Sequence, residues 1–160
     1  MVFTVKNKTE EHFLRQPAPA FDFDSKSKKE IRELVKRLRR EMKRAYGVGL
    51  SANQIGFTDR VFVAEVAGKF YAVFNPEIVK TSEETLPAEE GCLSVPEIFG
   101  PVERAKNIII SGFDQNGKKI KIKAWGLLAR VFQHEVDHLN GGIFTDKAKT
   151  LYKIKEKKQE

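Results

Sequence analysis

Cysteine is the scarcest informative residue in this chain: a single one, Cys92, stands among 160 residues, with three histidines and one tryptophan. One cysteine forms no internal disulfide, so a disulfide-stapled scaffold is excluded and a reducing compartment is expected. Long apolar runs are missing too. Nothing approaches the roughly 18 apolar residues of a membrane span, and the N-terminus lacks the uninterrupted apolar stretch of a signal peptide. These absences lead to the expectation of a cytoplasmic protein without membrane contact. There is no internal repeat, no recognisable nucleic-acid-binding module, and no low-complexity segment except a lysine-rich tail over about 147–160. What remains has an ordinary 41% hydrophobic content. It fits a single domain over residues 1–160 with one core, expected to be a monomer.

The formal net charge of +7 is concentrated from Lys26 to Arg44 and in the tail from Lys147 to Lys158. Such a balance favours encounter with polyanions, although lysine runs serve equally as solvated faces that keep a protein soluble.

Periodicity supplies the coarse fold. Ser27-Lys28-Lys29-Glu30 has the capping-box pattern, and Ile31, Leu34, Val35, Leu38, Met42 and Ala45 recur at helical spacing after it, predicting an amphipathic helix that ends near Gly47. The glycines of Gly47-Val48-Gly49-Leu50 allow backbone geometries and close ligand approach that a side chain would block, making this turn a candidate substrate wall. Val61 to Val66 and Lys69 to Phe74 read as paired strands around Ala67-Gly68, with the pre-proline Asn75 closing the second. Asn107 to Phe113 and Lys119 to Ala124 flank Asn116-Gly117, a hairpin signal, and Ile120 and Ile122 alternate with lysines as one buried face requires. A late helix from about Trp125 to Leu139 presents Leu128, Val131 and Phe132 to the core and stops at Asn140-Gly141-Gly142. The fold class expected is α+β, with antiparallel sheets packed around that late helix.

The late helix carries Gln133-His134-Glu135-Val136-Asp137-His138. Residues four apart share a helix face, so both imidazoles can reach one metal ion while Glu135 leans toward the water it holds. Two histidines on one face also occur as a half-buried polar patch. A catalytic site needs three protein ligands and one open position. The long metalloprotease pattern would place a third histidine six residues after His138, where this chain has Phe144, and His12 sits without partner spacing in a polar segment read as surface. A free cysteine is commonly a small buried hydrophobe. Cys92, however, follows Gly91 and precedes the turn-prone Ser94-Val95-Pro96 in a polar segment, and a thiolate is a strong ligand for a d-block metal. Cys92, His134 and His138 would complete such a set. Asp137 reads either as a helix-surface acid or as a group orienting one of the histidines.

Three segments together, Gly47-Val48-Gly49-Leu50-Ser51-Ala52-Asn53-Gln54, Glu90-Gly91-Cys92-Leu93-Ser94 and His134-Glu135-Val136-Asp137-His138-Leu139, resemble the signature motifs of peptide deformylases, in that family's order and at suitable spacings. The resemblance runs from about the first predicted helix to Asp146. One departure is Ser51, where the family commonly has alanine; small replaces small, so only local packing is in question.

The resemblance implies hydrolysis of the formyl group from N-formylmethionyl nascent peptides, with formate released. It implies Cys92, His134 and His138 as metal ligands, Glu135 as general base, and the Gln54 side-chain amide with the Leu93 backbone N–H as donors to the formyl oxygen. The implied metal is Fe2+, with Zn2+, Ni2+ or Co2+ as substitutes; the affinity order alone would favour zinc at least as much. Substrate is expected to add as an extended strand beside Val48, Gly49 and Leu50, with Val48 and Leu127 lining a methionine pocket. Because deformylases act on chains leaving ribosomes, the basic surface makes ribosomal RNA a further expected partner. The other readings of the same residues are a general peptidase using the two-histidine motif and a ribosome-associated binding protein that has lost turnover.

Overall fold

The computed structural model describes residues 1–154. Its helices are α1 (Lys8–Leu14), α2 (Lys28–Arg44) and α3 (Gly126–Leu139), and its strands are β1 (Gly49–Ser51), β2 (Val61–Val66), β3 (Lys69–Thr81), β4 (Thr85–Cys92), β5 (Val95–Ala105), β6 (Asn107–Phe113), β7 (Lys119–Trp125) and β8 (Tyr152–Lys153). The strands form a five-stranded sheet in the order β1-β2-β3-β6-β7 and a three-stranded sheet in the order β4-β5-β8, with every pairing antiparallel. This is the expected α+β arrangement. Among the described residues no helix is long and apolar enough to cross a membrane.

Helix α2 forms where its sequence predicts. Ser27 Oγ accepts from the Glu30 N–H at 3.1 Å and the Glu30 carboxylate accepts from the Ser27 N–H at 2.6 Å, so two otherwise orphaned donors are satisfied at its start. Ile31, Leu34, Val35, Leu38 and Met42 are buried along one stripe. They share a core cluster with Leu50, Val61, Val63 and Phe74, which locks the helix against β1 to β3. A second cluster lies under α3, where Val131, Phe132, Val136 and Leu139 meet Phe62, Val73, Ile108 and Ile110. The half-buried Leu128, Ile120 and Ile122 pack against its edge.

The strand expected to close at Asn75 does not. β3 continues through Asn75-Pro76 to Thr81, with its register against β6 shifted between Phe74 and Glu77. A bulge gives proline a place inside a sheet, because the missing N–H falls where pairing is already interrupted. Asn75 takes a left-handed conformation (φ 48°), and its side chain holds Phe21 by accepting from the Phe21 N–H at 2.6 Å and donating to its carbonyl at 3.0 Å.

The three-stranded sheet and α1 are absent from the sequence reading. β4 is mostly exposed and lacks apolar alternation, so it is defined by pairing with β5 rather than by its own pattern. Part of the tail expected after Asp146 is ordered: β8 pairs Tyr152 with Phe99 and Lys153 with Ile98. The rest of that tail, 155–160, lies outside the described residues. Gln133 of α3 ties the helix to the end of β5 by accepting from the Ala105 N–H at 3.1 Å and donating to the Ala105 carbonyl at 2.9 Å.

Candidate metal centre

Each member of the site is delivered by a different local device. α3 presents His134 and His138 one turn apart, with their Nε2 atoms 3.2 Å from each other. Cys92 is the last residue of β4. A register shift between Gly91 and Cys92 brings it opposite Val95 rather than continuing the ladder, so the sulfur turns toward α3 and lies 3.1 Å from His138 Nε2. A Cβ at Gly91 would meet the Phe99 ring at 2.5 Å, so any other residue there has to displace that ring. The sulfur and a nitrogen from each histidine all lie within 4.8 Å of one another. Three donor atoms aimed at one point repel unless a proton or a cation sits between them, and a thiolate with two imidazoles is a donor set that suits a d-block ion.

The charge state of the cluster follows from its neighbours. Burial opposes ionisation of Cys92, but His138 and His134 outweigh it and hold the thiol well below its usual range. Burial likewise opposes protonation of His134, yet its hydrogen bonds with Cys92 and Glu90 raise its pKa to about 10. Both shifts favour a thiolate beside an imidazolium, and a cation held there would displace the imidazolium proton.

Glu90 is the residue that sequence reasoning left without a role. It is 6% exposed and accepts from His134 Nδ1 at 2.8 Å. Arg104 donates to both its oxygens at 2.8 Å, and Arg130 donates to Oε2 at 2.7 Å. Burial would raise its pKa, but the Arg104 and His134 contacts prevail and hold it well below the usual carboxylate range. Asp137, the other candidate for orienting a histidine, instead accepts from Arg104 Nη1 at 2.6 Å and from Lys147. The only available signal for Glu90 was its place two residues before Cys92.

Glu135 is 4% exposed, and its Oε2 has no hydrogen-bond partner among the described residues. Burial pushes its pKa up to about 7, with His134 and His138 pulling only partly in the other direction. A buried carboxylate oxygen left unpaired is costly in a structural role and is suited to holding a proton in transit. Gly49 makes room for it, since a Cβ there would lie 2.6 Å from Glu135 Oε1. His12 is exposed, as expected.

Gln54 is buried, and the proton inventory around it fixes its orientation. The Ser51 N–H can only donate, and it meets Gln54 Oε1 at 3.0 Å. Nε2 therefore faces Ser94 Oγ at 3.1 Å and the Cys92 sulfur at 3.7 Å. Asn53 Nδ2 donates to the His138 carbonyl at 2.6 Å, which leaves its Oδ1 to accept from Ser51 Oγ at 2.7 Å. Ser51 is thus more than a packing substitute: Ser51 and Asn53 link the Gln54 loop to the last turn of α3.

A cavity of about 530 Å³ is lined by Val48, Gly49, Gln54, Leu93, Leu127, His134 and Glu135 together with Cys92 and Glu90. Val48 and Leu127 stand half-exposed on its apolar wall. Leu50, grouped with them in the sequence reading, points away into the core.

The chain has relatives among known proteins. Residues 4–154 match the family described as Polypeptide deformylase. The chain is 46% identical over 128 residues to a peptide deformylase of Desulforudis audaxviator, covering 79% of this chain and 83% of that one. It is 45% identical over 118 residues to a peptide deformylase of Treponema pallidum, covering 74% and 73%. Among solved structures, the peptide deformylase of Thermotoga maritima superposes with a TM-score of 0.84 at 37% identity, covering 94% of this chain and 97% of that one.

Proposed function

Since the chain belongs to the polypeptide deformylase family, enzymes that hydrolyse the N-formyl group of nascent peptides with the help of a metal ion, we propose that Cys92, His134 and His138 hold that ion and that Glu135 is the general base. The observation that carries the assignment is the convergence of one thiolate and two imidazole nitrogens beside a buried, unpartnered carboxylate at the floor of an apolar cavity. A divalent cation bound there would activate water and polarise the formyl carbonyl.

The chain's own residues account for the remaining steps. Glu135 takes a proton from the attacking water and returns it to the departing amine nitrogen, a transfer suited to a carboxylate whose surroundings raise its pKa. Gln54 Nε2, oriented by Ser51, donates to the oxygen on which negative charge grows, and the Leu93 N–H is the second donor. Strand β1 ends the five-stranded order, so one of its edges is free to pair with an extended substrate along Val48, Gly49 and Leu50. Main-chain pairing is blind to side chains, while the wall formed by Val48 and Leu127 receives the methionine.

The native ion is ferrous iron in this reading, and the protein is a cytoplasmic monomer with its one domain over residues 1–160. The basic outer face of α2, with Arg32, Lys36, Arg37 and Arg40 exposed, is its docking surface for ribosomal RNA. Formate release from an N-formylmethionyl peptide, measured on protein loaded anaerobically with Fe2+, tests the assignment. Rapid release that collapses in Glu135→Ala is expected. Release no faster than that variant, with one equivalent of metal bound, would overturn it.

A further inference from the structure

Helix α2 ends in a way that its neighbouring cavity explains better than the helix does. The Gly47 N–H bonds to the Met42 carbonyl at 2.9 Å and the Tyr46 N–H to the Lys43 carbonyl at 3.0 Å, the paired bonds of a Schellman turn. In that turn the residue after the cap adopts the left-handed conformation, where glycine is favoured because a Cβ is strained. Here the residue is Tyr46, with φ 55°. Its side chain is 97% exposed, so no packing within the fold compensates the strain. Yet Tyr46 borders the cavity that holds Cys92, His134 and Glu135.

The position of Tyr46 along the substrate path follows from β1. Gly49 faces the Glu135 carboxylate, which places the reacting end of a substrate at Gly49. The Val48 carbonyl accepts from the Glu65 N–H at 2.9 Å, so the chain upstream of β1 is still anchored to β2. Between α2 and β1 the chain turns, and Tyr46, three residues before Gly49, stands at the rim of the same cavity. A peptide whose formylmethionine sits at Glu135 passes that rim with the residues that follow its methionine.

Resting on the deformylase assignment above, we propose that Tyr46 is a specificity-determining residue: its ring forms the outer wall of the substrate groove and binds residues of the nascent peptide beyond the formylmethionine, favouring apolar and aromatic side chains. Unpacked strain at the mouth of a site is the pattern of a residue kept for its ligand. A rigid, amphipathic ring also contributes contact area at little cost in side-chain freedom.

The test compares an N-formylmethionyl dipeptide with a tetrapeptide carrying apolar third and fourth residues, on Fe2+-loaded protein and its Tyr46→Gly and Tyr46→Phe variants. Tyr46→Gly should raise Tm by about 2–4 °C as the strain is relieved. It should also lower the tetrapeptide-to-dipeptide ratio of kcat/KM by about threefold to tenfold, the size of one aromatic contact, with the loss in KM. Tyr46→Phe should preserve the ratio. An unchanged ratio in Tyr46→Gly, or a fall in its Tm, would overturn this proposal alone. Inactivity of the unmodified chain toward both peptides would overturn the deformylase assignment, and this proposal with it.

Discussion

Glu90 accepts a hydrogen bond from His134 Nδ1 at 2.8 Å, and this contact decides which nitrogen of the ring faces the cavity. Because Arg104 and Arg130 neutralise Glu90 from the other side, the carboxylate stays ionised and the ring stays fixed. Groups that orient a ligand histidine typically contribute tenfold to a hundredfold in metal affinity. Glu90→Gln should therefore weaken metal binding by about that factor in a competition titration with a chromophoric chelator. It should also destabilise the metal-free protein by about 1–3 kcal/mol, since Arg104, with a side chain only 3% exposed, would lose one of its two carboxylate partners and keep Asp137. Unchanged metal affinity would remove Glu90 from the centre.

Gly49 is where backbone and base come closest. A methyl group there would sit 2.6 Å from Glu135 Oε1 and 3.0 Å from Val131 Cγ1, so the carboxylate must move. Misplacing a reacting group by about 1 Å can cost around a hundredfold. Gly49→Ala should lower kcat by about that much while the metal content, read by atomic absorption, stays at one equivalent. Full activity in this variant would show that Glu135 has room to act from elsewhere.

Ser51→Ala removes the hydroxyl that occupies Asn53 Oδ1, leaving a buried acceptor without that partner. A cost of about 1–3 kcal/mol in urea unfolding is expected. The Ser51 backbone N–H still holds Gln54 Oε1, so the amide keeps its orientation. Gln54→Ala is expected to be more damaging to kcat, by about a hundredfold to a thousandfold, because it removes the donor itself. Comparable kcat values in the two variants would contradict this division of labour.

Burial holds the Glu135 carboxyl at about 7 against an ordinary value of 4.5. A carboxyl raised by folding binds its proton more tightly in the native state. Its contribution to stability is complete below pH 4.5 and is lost as pH rises through 7. Chelator-treated protein should accordingly lose stability across that window, whereas Glu135→Gln should not, when urea midpoints are followed against pH. A bound cation adds positive charge beside the carboxylate and lowers its pKa, so the acid limb of kcat/KM in the loaded enzyme should lie below 7.

Much of this site is legible in the chain because it depends on short-range repetition. The spacing of His134 and His138 guarantees a shared face once α3 forms, and α3 forms because Val131, Phe132, Val136 and Leu139 repeat at helical spacing. Glu135 follows from the same geometry. The capping box of α2 and the turns at Ala67-Gly68 and Asn116-Gly117 are equally local, and all three appear where the sequence places them.

Other features exist only through pairing across distance. Cys92 reaches His138 because the pairing of β4 with β5 jumps from Gly91–Phe99 to Cys92–Val95, an irregularity that no periodicity in an exposed, polar strand announces. Asn75-Pro76 reads as a stop and is instead a bulge, because Phe21 supplies the partners that make a left-handed asparagine stable there. Glu90 looks like any surface acid until Arg104, Arg130 and His134 converge on it from β5 and α3. Local sequence determines which helices and hairpins form and which residues share their faces. Only the packed chain decides which charges are buried together, since desolvation and pairing depend on neighbours far away in sequence.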